Sequence, residues 1–228
     1  MATLHVLRVF TAADGGHGNP LGVFLGGEEV PEERRQAVAA ELGYSETVFV
    51  EDRASGRMRI FTPAAELPFA GHPSVGTAWL LAREGAPPSV LRPPAGEVPV
   101  RRDGELTWIG GRPEWVDAFP FEQLDSVAAV DALDPGGFEG VGAYCWAWED
   151  EAAGRLRSRA FFPAFGIAED EATGAAAVVL CSRLRREVEI RQGQGSRLLA
   201  RPLADGMVEV GGTAVLDTVR EYELPRQL

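Results

Sequence analysis

Cysteine is scarce: Cys145 and Cys181 are the two thiols in 228 residues. Two cysteines cannot staple a disulfide framework, which fits a reducing, cytoplasmic setting. Histidine is nearly as rare. Three scattered histidines and two distant cysteines give no ligand spacing for zinc, so no metal site is expected. Positive charge is also short, with 22 Lys and Arg against 34 Asp and Glu and a net charge of −12. A nucleic-acid binder needs a basic footprint to displace counterions, and no run of Lys or Arg supplies one. The arginine cluster at 183–186 reads as a solvated helix end. An anionic membrane surface would repel such a chain, and no apolar run approaches roughly 18 residues. The opening residues lack the basic-then-apolar layout of a signal peptide. No Gly-x-Ser-x-Gly elbow occurs. The glycines of Gln192-Gly193-Gln194-Gly195-Ser196 follow a strand but precede no helix, so dinucleotide and phosphate-loop readings lack their context.

What is present is a core. Hydrophobic residues make up 45% and charged residues 25%, the balance of a soluble globular protein. The length is generous for one domain of roughly 100–150 residues and short for two. Glycine (27) and proline (16) are spread as turn residues rather than gathered in a linker. Short apolar or alternating runs at 4–10, 21–25, 46–51, 57–61, 98–102, 105–109, 143–149, 156–162, 187–191, 196–202, 207–210 and 214–223 read as strands. Asp103-Gly104 is the strongest hairpin signal among them. Residues 31–41 read as a helix started by Pro31 and stopped by Gly43. Four helices are expected in all, so β-structure dominates.

Two helices, near 72–84 and 174–184, are apolar on every side and too short for a bilayer, so each must be wrapped by protein. They also begin alike. Glu66 stands five residues before Gly71, Glu169 five before Gly174, and the two motifs lie 103 residues apart. Two copies of one unit, a β-barrel-like sheet around a buried helix, explain the length. The expected fold is α+β with pseudo-symmetric halves at 1–108 and 109–228, the path of the last strand being left open between them.

Glycine at a helix start lets a ligand approach bare N–H groups, where the dipole favours an anion. Gly71 and Gly174 either serve that purpose or simply allow tight packing. His72, at the entry of the first buried helix, can exchange a proton near neutral pH or simply be a satisfied structural residue. Glu46 opens an apolar strand between two hydroxyl residues, and Asp170 precedes the second buried helix. A solvated strand end and a helix-dipole partner account equally well for these two acids.

In order along the chain stand Gly18-Asn19-Pro20-Leu21, Ser45-Glu46-Thr47-Val48-Phe49-Val50, Glu66-Leu67-Pro68-Phe69-Ala70-Gly71-His72-Pro73 and Glu169-Asp170-Glu171-Ala172-Thr173-Gly174. Together with Arg191-Gln192-Gly193 and Ser196-Arg197, they make the sequence resemble the PhzF family of phenazine-biosynthesis isomerases over nearly its whole length. The Gly-His-Pro segment is the most specific part. The resemblance implies a diaminopimelate-epimerase-like fold with its site between the halves, a homodimer, and cofactor-free transfer of a proton between carbons of a small carboxylate-bearing metabolite. It casts Glu46 as general acid/base and His72 and Asp170 as its polar partners. The substrate cradle falls to Asn19, Gly71, Pro73, Ser74, Thr173, Gly174 and Ala175, through the backbone N–H groups around 71–73 and 174–175. A carboxyl group shut in a dry site holds its proton more tightly and so can return what it takes.

Two departures stand out. Glu171 replaces the family's usual Pro, and Ala175 replaces its usual Ser, which removes a hydroxyl donor. The chain is also shorter than typical members, the loss falling between Gly111 and Gly142. A different substrate follows naturally, as does the rival expectation of a binding protein that kept the cleft and lost the reaction. The fold's sister racemases place a cysteine before each central helix. Here Gly71/His72 and Thr173/Gly174 occupy those places, so a two-cysteine racemase is not expected.

Overall fold

The computed structural model describes residues 1–224. Strands β1 (Ala2–Val9) and β2 (Asn19–Phe24) precede helix α1 (Glu32–Leu42). Then β3 (Glu46–Asp52), β4 (Arg57–Phe61) and the short β5 (Glu66–Leu67) lead into helix α2 (Gly71–Arg83). After β6 (Val90–Leu91), β7 (Val98–Asp103), β8 (Leu106–Gly111), β9 (Phe121–Gln123) and the short helix α3 (Val127–Asp131), the same order recurs. The hairpin β10 (Ala143–Asp150) and β11 (Arg155–Phe162), with β12 (Ile167–Asp170), leads into helix α4 (Gly174–Leu184). Strands β13 (Val188–Gln192), β14 (Ser196–Pro202), β15 (Val208–Gly212) and β16 (Ala214–Tyr222) follow.

The repeat is visible in hydrogen-bond register. In β3–β4 the pairing slips between Val50 and Asp52 and ends at Asp52↔Arg57. In β10–β11 it slips between Trp148 and Asp150 and ends at Asp150↔Arg155. Each hairpin gains a third, antiparallel strand just before its helix, β5 on β4 and β12 on β11. The acids that open both motifs have the same task. Glu66 chelates Arg59 of β4, and Glu169 accepts Nε and Nη2 of Arg159 of β11, each at 2.7 Å, a bidentate geometry that fixes the approach to each helix.

Six strands form one sheet in the order β16-β1-β2-β3-β4-β5, and ten form the second, in the order β6-β7-β8-β15-β14-β13-β11-β10-β9 with β12 on β11. The chain changes sheets before its midpoint. β8 pairs with β15 from Thr107↔Gly212 to Gly111↔Val208, so a division at 108/109 falls inside a strand of the second sheet. β16 crosses back to pair with β1 along its whole length. Both central helices are wrapped as their composition requires. α2 packs on β1, β2 and β3 of one sheet and on β8 and β15 of the other, while α4 lies against β14 and β15. One continuous core joins them, from Leu21, Val48 and Val75 to Val178, Leu180 and Ile190. Among the described residues no helix is long and apolar enough to cross a membrane.

Candidate active site

The two helices meet tip to tip. A Cβ placed on Gly71 would lie 2.6 Å from the Gly174 carbonyl carbon and 3.0 Å from the Ala175 nitrogen. One placed on Gly174 would lie 2.8 Å from both Gly71 Cα and the His72 nitrogen. Both glycines are therefore required for packing, and the packing itself brings two helix N-termini to one point. Neither terminus has a side-chain cap: Ala70 precedes α2, and the Thr173 hydroxyl is turned elsewhere. The first-turn N–H groups thus keep their affinity for an anion. Pro73 has no N–H to offer. Ser74 donates its hydroxyl to the Ala70 carbonyl at 2.7 Å and is fully buried, so it braces the helix instead of facing the cleft.

Beside these tips, β2, β3, α2 and β12 deliver four polar side chains from distant parts of the chain. Glu46 begins β3, where only 7% of its surface is exposed, and its Oε2 lies 3.0 Å from His72 Nδ1. The geometry is close but off the line of a hydrogen bond. Glu46 Oε2 and His72 Nε2 are both buried and unpartnered. Buried polar atoms are rarely left so, and such atoms in a cleft are free for a reacting molecule. Asp170 is buried at the end of β12 and fully engaged. It accepts Asn19 Nδ2 at 2.6 Å and the Thr173 hydroxyl at 2.6 Å. Burial, with the charge of Glu46 added to it, pushes the Asp170 carboxyl up to about 6, against the opposing influence of His72, Thr173 and Asn19.

Asn19 is a strut. Its amide nitrogen also donates to the Ala172 carbonyl at 3.0 Å, and its oxygen accepts the Ser45 hydroxyl at 3.0 Å. Gln192 completes the network: Nε2 donates to Thr173 Oγ1 at 2.7 Å and to the Asp170 carbonyl at 2.9 Å, and Oε1 accepts the Thr173 N–H at 3.1 Å. Sequence reasoning assigned Gln192 and Ser45 no role. The one signal for Gln192 was its place in Arg191-Gln192-Gly193, since a glutamine entering a tight turn is otherwise unremarked.

Glu171, one of the two departures, has a definite partner. Its carboxylate accepts the Gln194 N–H at 2.8 Å and the Ser196 hydroxyl at 2.8 Å, and Ser196 Oγ in turn accepts the Gly18 N–H at 3.0 Å. The glycine-rich turn after β13 thus holds an internal carboxylate. Gly193, at φ +57°, leaves the space that carboxylate fills.

The halves are not chemically equivalent. Glu46 stands six residues before Asp52, and the same count before Asp150 falls on Tyr144. Tyr144 is fully buried, donates to Ser158 Oγ at 2.9 Å, and has its phenol held protonated by burial. Asp170 lies four residues before Gly174, where the first half has Leu67. One acid therefore comes from each half, at unmatched positions. The thiols stand apart from this chemistry, since burial pushes Cys145 up to about 11 and Cys181 up to about 12. The sequence contains no lysine, so a lysine imine is closed to it.

A cleft of about 600 Å³, including solvent at its mouth, opens beside this cluster and is lined by Glu46, Ala70, Asp170, Thr173 and Ala175 at its polar end. A buried acid with an unpartnered oxygen, an imidazole, a second carboxyl whose affinity for its proton is raised and two uncapped helix tips have the chemistry to move a proton on a bound anion. Two helices, each wrapped by sheet and meeting tip to tip beside a cleft, define an epimerase-like fold.

The comparisons with known proteins narrow this further. The model of the PhzC-PhzF family, phenazine biosynthesis-like proteins, matches residues 7–111 and 123–202, and the chain belongs to that family. It is 37% identical over 225 residues to a trans-2,3-dihydro-3-hydroxyanthranilate isomerase of Pseudomonas aeruginosa, with 80% of each chain covered. The Pseudomonas fluorescens enzyme of the same name is 34% identical, again with 80% of each covered. Among solved structures, a PhzF-family protein of Enterococcus faecalis superposes with a TM-score of 0.74 at 25% identity, covering 98% of this chain and 99% of that one. A hydroxyproline epimerase of Agrobacterium vitis shares the fold at a TM-score of 0.64 and 12% identity, covering 96% and 91%.

Proposed function

We propose that the chain isomerises a small carboxylate-bearing metabolite by a proton shuttle centred on Glu46. The observation that carries this reading is the buried, unpartnered Glu46 Oε2 beside His72 and at the head of the cleft. The substrate carboxylate rests on the N–H groups of Gly71, His72, Gly174 and Ala175, where two dipole ends add. Glu46 removes a proton from one carbon, and the electron pair left behind spreads over the substrate's own unsaturation. The same carboxyl group then returns the proton to a different carbon, so no electrons are gained or lost overall. His72 and Asp170 polarise and orient the bound molecule. Asp170 holds its proton more tightly than an ordinary aspartate, and the hydrogen bonds it accepts from Asn19 and Thr173 fix its position beside the bound molecule. Among the described residues no arginine lines the cleft, so the backbone carries the work of anion binding.

The relatives' substrate, trans-2,3-dihydro-3-hydroxyanthranilate, is the first compound to try. Glu46→Gln keeps the shape and removes the base. Turnover should fall by at least about a thousandfold while ligand affinity stays within a few fold. Undiminished turnover in this variant removes Glu46 from the mechanism.

A further inference from the structure

The cleft has two chemically distinct ends. The inner end is lined by Glu46, Ala70, Asp170, Thr173 and Ala175, with the unpartnered Glu46 Oε2 among them. Away from it the wall is Phe69, Trp115, Val116, Phe119, Phe162 and Phe165. Phe69 and Trp115 pack at 5.5 Å, and Phe119 stands edge-on to Phe162 at 5.0 Å, so the rings hold one another in place. Two other polar residues line the cleft, Thr62, whose hydroxyl is already engaged, and Asp117, whose charge stands at the rim. The Thr62 hydroxyl accepts the N–H groups of Ala64 and Ala65 and donates to the Ala65 carbonyl. Asp117 lies exposed at the rim. Trp115, Val116, Asp117 and Phe119 all belong to residues 112–122, the stretch that the family match passes over.

We propose that residues 112–122 form a specificity wall, and that the ligand is a monocarboxylate with a flat apolar body lying against Trp115 and Phe119. The proposal rests on reading the cleft as an anion site. A polar substituent turned toward this wall would lose its water and find no partner, a cost that rejects it. A second carboxylate would meet Asp117 in a cleft that already holds Glu46 and Asp170 and has no arginine to offset them. Ala175, where the resemblance leads one to expect a serine, removes a further polar group from the same space.

Calorimetry on the full chain with unreactive probes tests this. Acetate, measured by competition, reads the carboxylate site alone. Benzoate and phenylacetate add an apolar ring, 3-hydroxybenzoate adds a polar substituent, and phthalate adds a second charge. Benzoate and phenylacetate should bind at least about tenfold more tightly than acetate, and more tightly than 3-hydroxybenzoate or phthalate. Trp115→Ala should reduce the benzoate-to-acetate ratio about tenfold with acetate itself unchanged. Phe119→Leu should reduce it less, and serves if the first variant does not fold. An unaltered ratio in both variants, or tighter binding of phthalate or 3-hydroxybenzoate than benzoate, overturns the wall. Because no probe reacts, a ratio that falls in a chain without isomerase turnover would count against the proton shuttle alone.

Discussion

Asp170→Asn should change how stability depends on pH, in a direction set by the site. The folded carboxyl is raised from 3.8 to about 6, so the native state holds that proton more tightly than the unfolded chain does. Below 3.8 both states are protonated and nothing is lost. As pH rises through the folded value, the native state loses stability that an asparagine never loses. At 1.36 kcal/mol per pH unit the difference amounts to about 3 kcal/mol, undiminished by solvent screening because the group is only 3% exposed. Asparagine also alters two hydrogen bonds. Its oxygen still accepts from Asn19, but its NH₂ faces Thr173, a fixed cost of about 1 kcal/mol with no pH dependence. The diagnostic is therefore the slope. Urea unfolding of variant and parent, repeated from about pH 3.5 to pH 7.5, should show the variant gaining about 3 kcal/mol on the parent, most of it between pH 4 and 6. A difference that stays flat across that range would refute the reasoning.

Other substitutions test neighbouring claims. Gly174→Ala drives a methyl into the backbone of Gly71 and His72, which cannot yield as a side chain would, so unfolding in urea should show a loss of at least about 3 kcal/mol. Glu171→Ala strips the acceptor from the Gln194 N–H and the Ser196 hydroxyl, and should cost about 1–3 kcal/mol and speed amide exchange at Gln194 and Gly18. Glu171→Gln, which keeps one oxygen there, should recover most of both, and unchanged exchange in the alanine variant would show that the turn does not depend on this carboxylate. Cys145 and Cys181, buried and held protonated, should resist iodoacetamide at pH 8 in the folded chain and react once it is unfolded, read by mass spectrometry.

The parts legible in the sequence were those set by local chemistry. Helices apolar on every side announced their burial, and the acid-to-glycine spacing announced a repeat that the matching bulges of β3–β4 and β10–β11 bear out. What the spacing could not reveal was the reason for its acids. Glu66 and Glu169 answer Arg59 and Arg159, whose positions depend on the register of strands not yet paired. The close approach of Gly71 and Gly174 was one of two readings of a glycine, because helix packing from opposite halves is a long-range property. Gln192 and Ser45 carry no local mark at all. They matter because β13 and β3 end beside Thr173 and Asn19. β6, β7 and β8 lie in the second sheet and β16, whose path the sequence left open, lies in the first, since pairing across that distance leaves no periodic trace.

The proton shuttle is tested most directly by running the reaction in heavy water with trans-2,3-dihydro-3-hydroxyanthranilate and following deuterium into the carbon that gains hydrogen. The parent chain should form product, with deuterium at that carbon to the extent that the Glu46 carboxyl exchanges with solvent before it returns its proton, and Glu46→Gln should bind the compound yet form no product and introduce no label. Product or label appearing equally in both chains, or binding by the parent with neither product nor label, would contradict the central role given to that carboxylate.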